Sequence, residues 1–219
     1  MTTNLKPWHK LAALSAILFS LAAPAMAGPT LVYNLDQISD PSIGSGTLGT
    51  VTLSQVNATT VDVKVSMSPY LIINTRGPHT PFAFNNTLSS LVVAFVTPVN
   101  GNYSAGTFSY DREGGSNTPY GSFGRAIDSS AGRGSVNGYG GVLEFTVSRA
   151  AGISTTDFGK NTTGPGYFFS ADVSNGTNTG AVASRGPVSI VTVPEPTSLA
   201  MFGLALLGIG AARRRRQQI

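Results

Sequence analysis

The chain has 219 residues, 41% of them hydrophobic and 11% charged, with a formal net charge of +4. It contains no cysteine, which excludes a disulfide framework, thiol nucleophiles, cysteine-bound zinc and a lipid-modified N-terminal cysteine. The positive charge is gathered at the two ends: residues 28–193 carry eight Lys/Arg against nine Asp/Glu, so nucleic-acid binding is set aside.

Lys6, His9 and Lys10 precede an apolar run from Leu11 to Ala23, followed by Pro24 and Ala25-Met26-Ala27. A basic start, a short apolar stretch and small residues two apart predict a secretory signal peptide over residues 1–27. A signal peptidase seats small side chains in shallow pockets, so Ala25 and Ala27 place the cut before Gly28. The alternative for the same residues is an uncleaved N-terminal anchor or a buried helix.

Residues 28–193 are enough for one core that buries about two-thirds of its chain surface. Thr47 to Val56 repeats the strand pattern more loosely, with Leu48, Val51, Leu53 and Val56 as its apolar residues. Val61 to Ser68 alternates without a break, as a half-buried strand demands. Leu91 to Thr97 is a continuous apolar run that reads as a central strand buried on both faces. Asn100-Gly101 supplies a turn before a strand over Gly106 to Tyr110. Val142 to Val147 alternates again, and Gly166 to Val173 pairs with Gly180 to Ser184 across Ser174-Asn175-Gly176-Thr177. Ser154 caps a helical turn or two near Asp157, the sole helix candidate. Roughly eight to ten short strands between Gly, Asn, Pro and Ser turns predict an all-β ectodomain, an antiparallel β-sandwich of jelly-roll or immunoglobulin-like topology.

Asp111 to Gly141 stands apart, with nine glycines, five serines and almost no aliphatic side chain. Loops of that length are usually functional or mobile. Tyr120, Phe123 and Tyr139 lie in it beside Arg112, Arg125 and Arg133. In one reading these rings stack on a glycan while the arginines bond its hydroxyls or acidic groups. In the other, which base rates favour, the segment is a hairpin excursion whose rings tuck back onto the sandwich.

Chemistry is sparse. His79 is the only histidine in residues 28–193, and no G-x-S-x-G elbow accompanies it. Asp111 and Glu113 form the only close carboxylate pair, which suits a solvated turn better than a glycosidase dyad. Asp172, Asn175 and Asn178 offer oxygens, but an Asx-rich hairpin turn explains the same letters. No catalytic residue, cofactor or metal ligand is assigned, and the protein is expected not to be an enzyme.

The end of the chain, residues 194–219, has three parts. Pro194-Glu195-Pro196 fixes a stiff, extended, solvated stub, a shape proteases bind readily. Thr197 to Ala212 is free of charge and makes a helix of about 24 Å at about 1.5 Å per residue. That falls short of a hydrocarbon core of roughly 30 Å, a gap that bilayer thinning and snorkelling arginines absorb. Arg213, Arg214, Arg215 and Arg216 hold the cytoplasmic side, which leaves residues 28–193 outside. These three parts in order resemble the PEP-CTERM sorting tail of Gram-negative bacteria; a plain single-span anchor is the alternative. The resemblance implies recognition and processing by an exosortase, a membrane-embedded cysteine transpeptidase, usually alongside exopolysaccharide production.

The expected function is that of an exported structural or adhesive protein of the cell surface or extracellular matrix, associated with exopolysaccharide. The expected partners are the signal peptidase, the exosortase, exopolysaccharide, and the membrane through the C-terminal helix before processing. In that account the chain is anchored in the inner membrane with a periplasmic domain, then moves to the cell surface or matrix. A carbohydrate-binding module using residues 111–141 is the runner-up, and a secreted hydrolase the third reading.

Overall fold

The structure is a computed structural model and describes residues 28–96, 103 and 106–191. The predicted signal residues Ala25 and Ala27, the Asn100-Gly101 turn, Pro194 to Pro196, the 197–212 segment and Arg213 to Arg216 lie outside the described residues. Among the described residues no helix is long and apolar enough to cross a membrane.

The fold is all-β and antiparallel. In chain order its strands are β1 (Thr30–Leu35), β2 (Gln37–Ile38), β3 (Gly49–Asn57), β4 (Thr60–Ser66), β5 (Leu71–Ile72), β6 (Phe82–Asn86), β7 (Val92–Phe95) and β8 (Phe108–Asp111). They continue with β9 (Gly115–Asn117), β10 (Gly121–Phe123), β11 (Arg125–Ser129), β12 (Leu143–Ser148), β13 (Phe158–Gly159), β14 (Phe169–Ser174), β15 (Thr179–Ser184) and β16 (Pro187–Val191). One sheet has the order β16-β1-β3-β4-β12-β7. The second runs β2-β15-β14-β6-β11-β8, with β13 against the end of β6 and β5 against the end of β14. The chain changes sheets at Asp36, between β1 and β2, and at Arg185-Gly186, between β15 and β16.

Period-two patterning explains the first sheet. Leu31, Tyr33 and Leu35 on β1, Val51 and Leu53 on β3, Val61, Val63 and Val65 on β4, and Phe145 and Val147 on β12 all point inward and are buried. They meet Phe82, Phe84, Phe169 and Val182 of the second sheet in one core. Phe169 is its centre: its ring stacks on Phe82 at 5.9 Å and meets Tyr33 edge-on at 4.8 Å. Burial pushes the Tyr33 hydroxyl up to about 12. The Ser174–Thr177 hairpin forms as predicted between β14 and β15. Ser154 caps a single 3-10 turn at Thr155–Asp157, its N–H donating to Asp157 Oδ2 at 2.7 Å in a capping box.

Two expectations need correction. Leu91 to Thr97 is not a central strand: among its described residues, 91–96, only Val92–Phe95 is strand, and it forms an edge beside β12. Val93 and Phe95 feed the core, while Val92 and Val96 are 62% and 51% exposed, so the run is apolar without being buried on both faces. The favoured reading of 111–141, a hairpin whose rings tuck back onto the sandwich, matches the β9–β10 hairpin and its buried rings, but the segment holds more strand than a loop excursion. It contains β9, β10 and β11, and β11 lies in the interior of the second sheet between β6 and β8. Its brief apolar content, Ala126-Ile127, suffices because neighbouring segments cover both of its faces.

With no cysteine to restrain the unfolded chain, packing must supply the stability. Residues 28–193 as a soluble fragment should give a β-type far-UV spectrum that strong reductant leaves unchanged. Phe169→Ala should lower the free energy of unfolding by about 3–5 kcal/mol in urea titrations. A predominantly helical spectrum would refute the architecture.

Candidate functional site

The outer face of the second sheet is built for cover. Ala83, Ala181 and Ala183 point outward from β6 and β15, and these small side chains leave room for rings. The β9–β10 hairpin supplies them: Tyr120 and Phe123 lie on the alanines together with Tyr167, and both are about 95% buried or more, at 5% and 3% exposure. Tyr120 meets Tyr167 edge-on at 4.9 Å, and the Arg185 guanidinium sits 5.9 Å from the Tyr167 ring. Burial raises the Tyr120 hydroxyl far above its ordinary value.

Two asparagines latch the hairpin down. Asn117 is fully buried; its Oδ1 accepts from Thr80 N at 2.8 Å and its Nδ2 donates to Thr80 O at 3.1 Å, imitating a backbone rung. Asn161 Nδ2 donates to Tyr120 O at 2.7 Å while its Oδ1 accepts from Tyr167 N at 2.9 Å. Two glycines permit the close approach. A Cβ at Gly115 would press on Ala126 and Thr80, and Gly121, with φ of +83°, would meet Thr163.

The sequence-predicted glycan contacts therefore sit inside the protein. Tyr139 is 3% exposed and belongs to the main core, where it packs against Tyr103 at 4.8 Å and Phe108 at 5.2 Å. None of Tyr120, Phe123 and Tyr139 turns a free ring face to solvent. Arg125 is likewise occupied: its guanidinium donates to the carbonyls of Gly124, Arg112 and Leu88.

What the hairpin leaves open is a polar groove of about 680 Å³ along its edge, lined by Asn74, Arg76, His79, Asp111, Glu113 and Asp128 among others. Asp111 and Glu113 form a local turn, Asp111 Oδ1 accepting from Glu113 N at 2.8 Å. Strand register brings a different carboxylate to Asp111. Ala126 pairs with Asp111 and Asp128 with Ser109, so Asp128 and Asp111 are diagonal neighbours on one face. Burial, and then the Asp111 charge, hold the Asp128 carboxyl above the usual carboxylate range. Sequence reasoning missed Asp128 because β11 was not recognised as a strand. His79 lines the groove with Nδ1 shielded and without a hydrogen-bond partner. Among the described residues no group of three His, Asp or Glu side chains is placed to hold a metal ion.

The Asx cluster near β14 separates into two structures. Asn175 Oδ1 accepts from Thr177 N and Asn178 N, while its Nδ2 donates to the carbonyls of Ser42 and Ile43. Asp172 lies apart, 1% exposed, with Oδ2 accepting from Thr75 N at 2.9 Å and Thr75 Oγ1 at 2.6 Å.

The opposite side of the molecule has another character. The outer face of the first sheet presents Thr50, Thr52, Ser54, Thr60, Thr146 and Ser148. Lys64 sits among them, 3.1 Å from Glu144 and 3.8 Å from Asp62.

Destination is decided by the tail. Residues 192–216 match the family model for the PEP-CTERM protein-sorting motif. The chain carries a PEP-CTERM sorting signal. The match takes in Pro194, Glu195 and Pro196, the apolar segment and Arg213 to Arg216. A PEP-CTERM motif marks an exported protein whose C-terminal signal is handled by an exosortase, so this is an exosortase-sorted extracellular protein. Comparison of the chain with curated proteins and with solved structures gives no match.

The buried Asp172 yields a pH test. Burial raises its carboxyl above the ordinary 3.8, outweighing the Thr75 hydrogen bonds and the His79 charge that pull it down. The folded chain therefore takes up this proton at a pH where the unfolded chain is still ionised. The contribution of Asp172 to stability is lowest above its folded pKa and rises as pH falls from there towards 3.8. Urea midpoints for Asp172→Asn should lack that rise, and the difference from the parent chain should shrink as the medium is acidified.

Proposed function

We propose that this protein is a non-enzymatic structural or adhesive component of an exopolysaccharide layer, a β-sandwich ectodomain delivered there by its PEP-CTERM tail. The observation that carries the reading is the sorting motif at residues 192–216. The hydroxyl-rich outer face of the first sheet supports it, since such a surface exchanges hydrogen bonds with a hydrated sugar matrix as readily as with water. In this account the signal peptidase cuts before Gly28 and the chain pauses in the inner membrane with its β-domain in the periplasm. The exosortase then acts near Pro194-Glu195-Pro196 and the protein moves to the surface or matrix.

A second reading, carbohydrate binding through the 111–141 segment, is favoured by the polar groove and not by rings. Its lining of carboxylates, hydroxyls, Arg76 and His79 suits hydrogen bonding to sugar hydroxyls. Specific signal on a glycan array, lost in Arg76→Ala, would support that module. Turnover of any polysaccharide by residues 28–193 would overturn the non-enzymatic reading.

Glu195→Ala changes the motif while leaving the apolar segment and the arginines intact. It should accumulate a full-length, membrane-bound form ending at Ile219, detected by fractionation and mass spectrometry of both termini. Native protein that still ends at Ile219 in cells possessing the exosortase would sink the processing claim.

A further inference from the structure

A second, smaller hollow opens at the end of the second sheet. Here β6 runs on to pair with β13, Phe158 opposite Asn86 and Gly159 opposite Asn85. Beside this pairing lies a pocket of about 230 Å³ lined by Asn85, Asn86, Thr87, Ser122, Lys160 and Asn161. That is the volume of about eight waters at roughly 30 Å³ each, the scale of one pyranose ring. Every one of these side chains is able to hydrogen-bond, Lys160 carries the only charge, and no carboxylate lines the wall.

Two independent features point to a ligand. Asn86 is 5% exposed, and its Oδ1 accepts from Leu88 N at 2.9 Å, which fixes which way the amide faces. Its Nδ2 is left shielded from solvent with no acceptor. A buried donor left unpaired costs free energy, and an incoming oxygen would relieve that cost. The second feature is Lys160. It lines the pocket, its ammonium stands 5.7 Å from the centre of the Phe168 ring, and among the described residues the ion pairs are all made by Lys64.

We propose that this pocket binds a uronate, one carboxylated sugar unit of an acidic polysaccharide. The sugar carboxylate pairs with the Lys160 ammonium. Asn86 Nδ2 donates to a ring or hydroxyl oxygen, and the exposed hydroxyls of Thr87 and Ser122 exchange hydrogen bonds with the sugar. Ser122 also lines the larger groove, so β10 is the ridge between the two hollows. Asp111, Glu113 and Asp128 make that groove repel acidic units, which leaves the Lys160 pocket as the place where a uronate settles. The inference rests on the exopolysaccharide reading for the source of its ligand.

The test is calorimetric titration of the full chain in mild detergent with tetragalacturonate and with its methyl ester, which keeps the hydroxyls and removes the charge. The acid should bind about fivefold more tightly than the ester, the scale of one exposed ion pair. Lys160→Gln changes an exposed side chain and should bring the acid down to the level of the ester. Asn86→Asp keeps the acceptor for Leu88 N and should weaken the acid further; if it fails to fold, Lys160→Gln still decides. Equal affinity for acid and ester, parental affinity in Lys160→Gln, or no uronate binding would each overturn the proposal. Uronate failing to bind a protein that fractionates with the matrix removes this pocket alone. Uronate binding by a protein that never leaves the inner membrane removes the matrix reading alone.

Discussion

β14 buries all six of its side chains, so the sheet around it needs cover on two sides. The first sheet supplies one cover through the aromatic core around Phe169. The other cover is shared: the β9–β10 hairpin lies over the alanines of β6 and β15, and Thr75 closes over Asp172 of β14. That requirement dictates several local choices together. Outward positions on β6 and β15 are alanine so that Tyr120 and Phe123 fit, and glycines at 115 and 121 let the backbone come close. Asn117 and Asn161 satisfy the polar backbone that the cover buries, as buried amide groups must be. Both hollows exist because the cover is small: they are the margins it does not reach.

The charged groups follow the same geography. On the first sheet Lys64, Asp62 and Glu144 form a half-exposed cluster worth little to stability, about 0.2–1 kcal/mol for such a pair. On both sheets burial raises a carboxyl above the ordinary carboxylate range, Asp62 on the first and Asp128 and Asp172 on the second. Lys160, on the far side of β10, faces no such neighbour within its pocket.

Much of the first sheet was legible in the sequence, because strands with one wet face write their burial as alternation. Val61 to Ser66 and Leu143 to Ser148 are examples, and the β14–β15 hairpin was announced by Asn175-Gly176. The tail was legible for a different reason: its three parts must stand in a fixed linear order. The second sheet was harder. A strand covered on both sides by close backbone uses small residues, so Arg125 to Ser129 looks like loop. Leu91 to Thr97 misled in the opposite sense, its apolar outer positions implying cover that the edge strand Val92–Phe95 does not have. The hollows were illegible in principle, since Asn86, Ser122 and Lys160 are neighbours only through register and hairpin packing. No local pattern encodes that juxtaposition.

Thr30 pairs with Val191, so β16 is the outermost strand of the first sheet and its last described residue lies beside the first residue of β1. The sorting motif begins at residue 192, immediately beyond it. Any tension borne by the tail therefore enters the fold through β16, a strand gripped on a single side. An edge strand loaded at its end can give way rung by rung, whereas an interior strand must break two ladders at once. Mechanical failure under pull would begin by peeling β16 from β1, with the aromatic core still intact behind it.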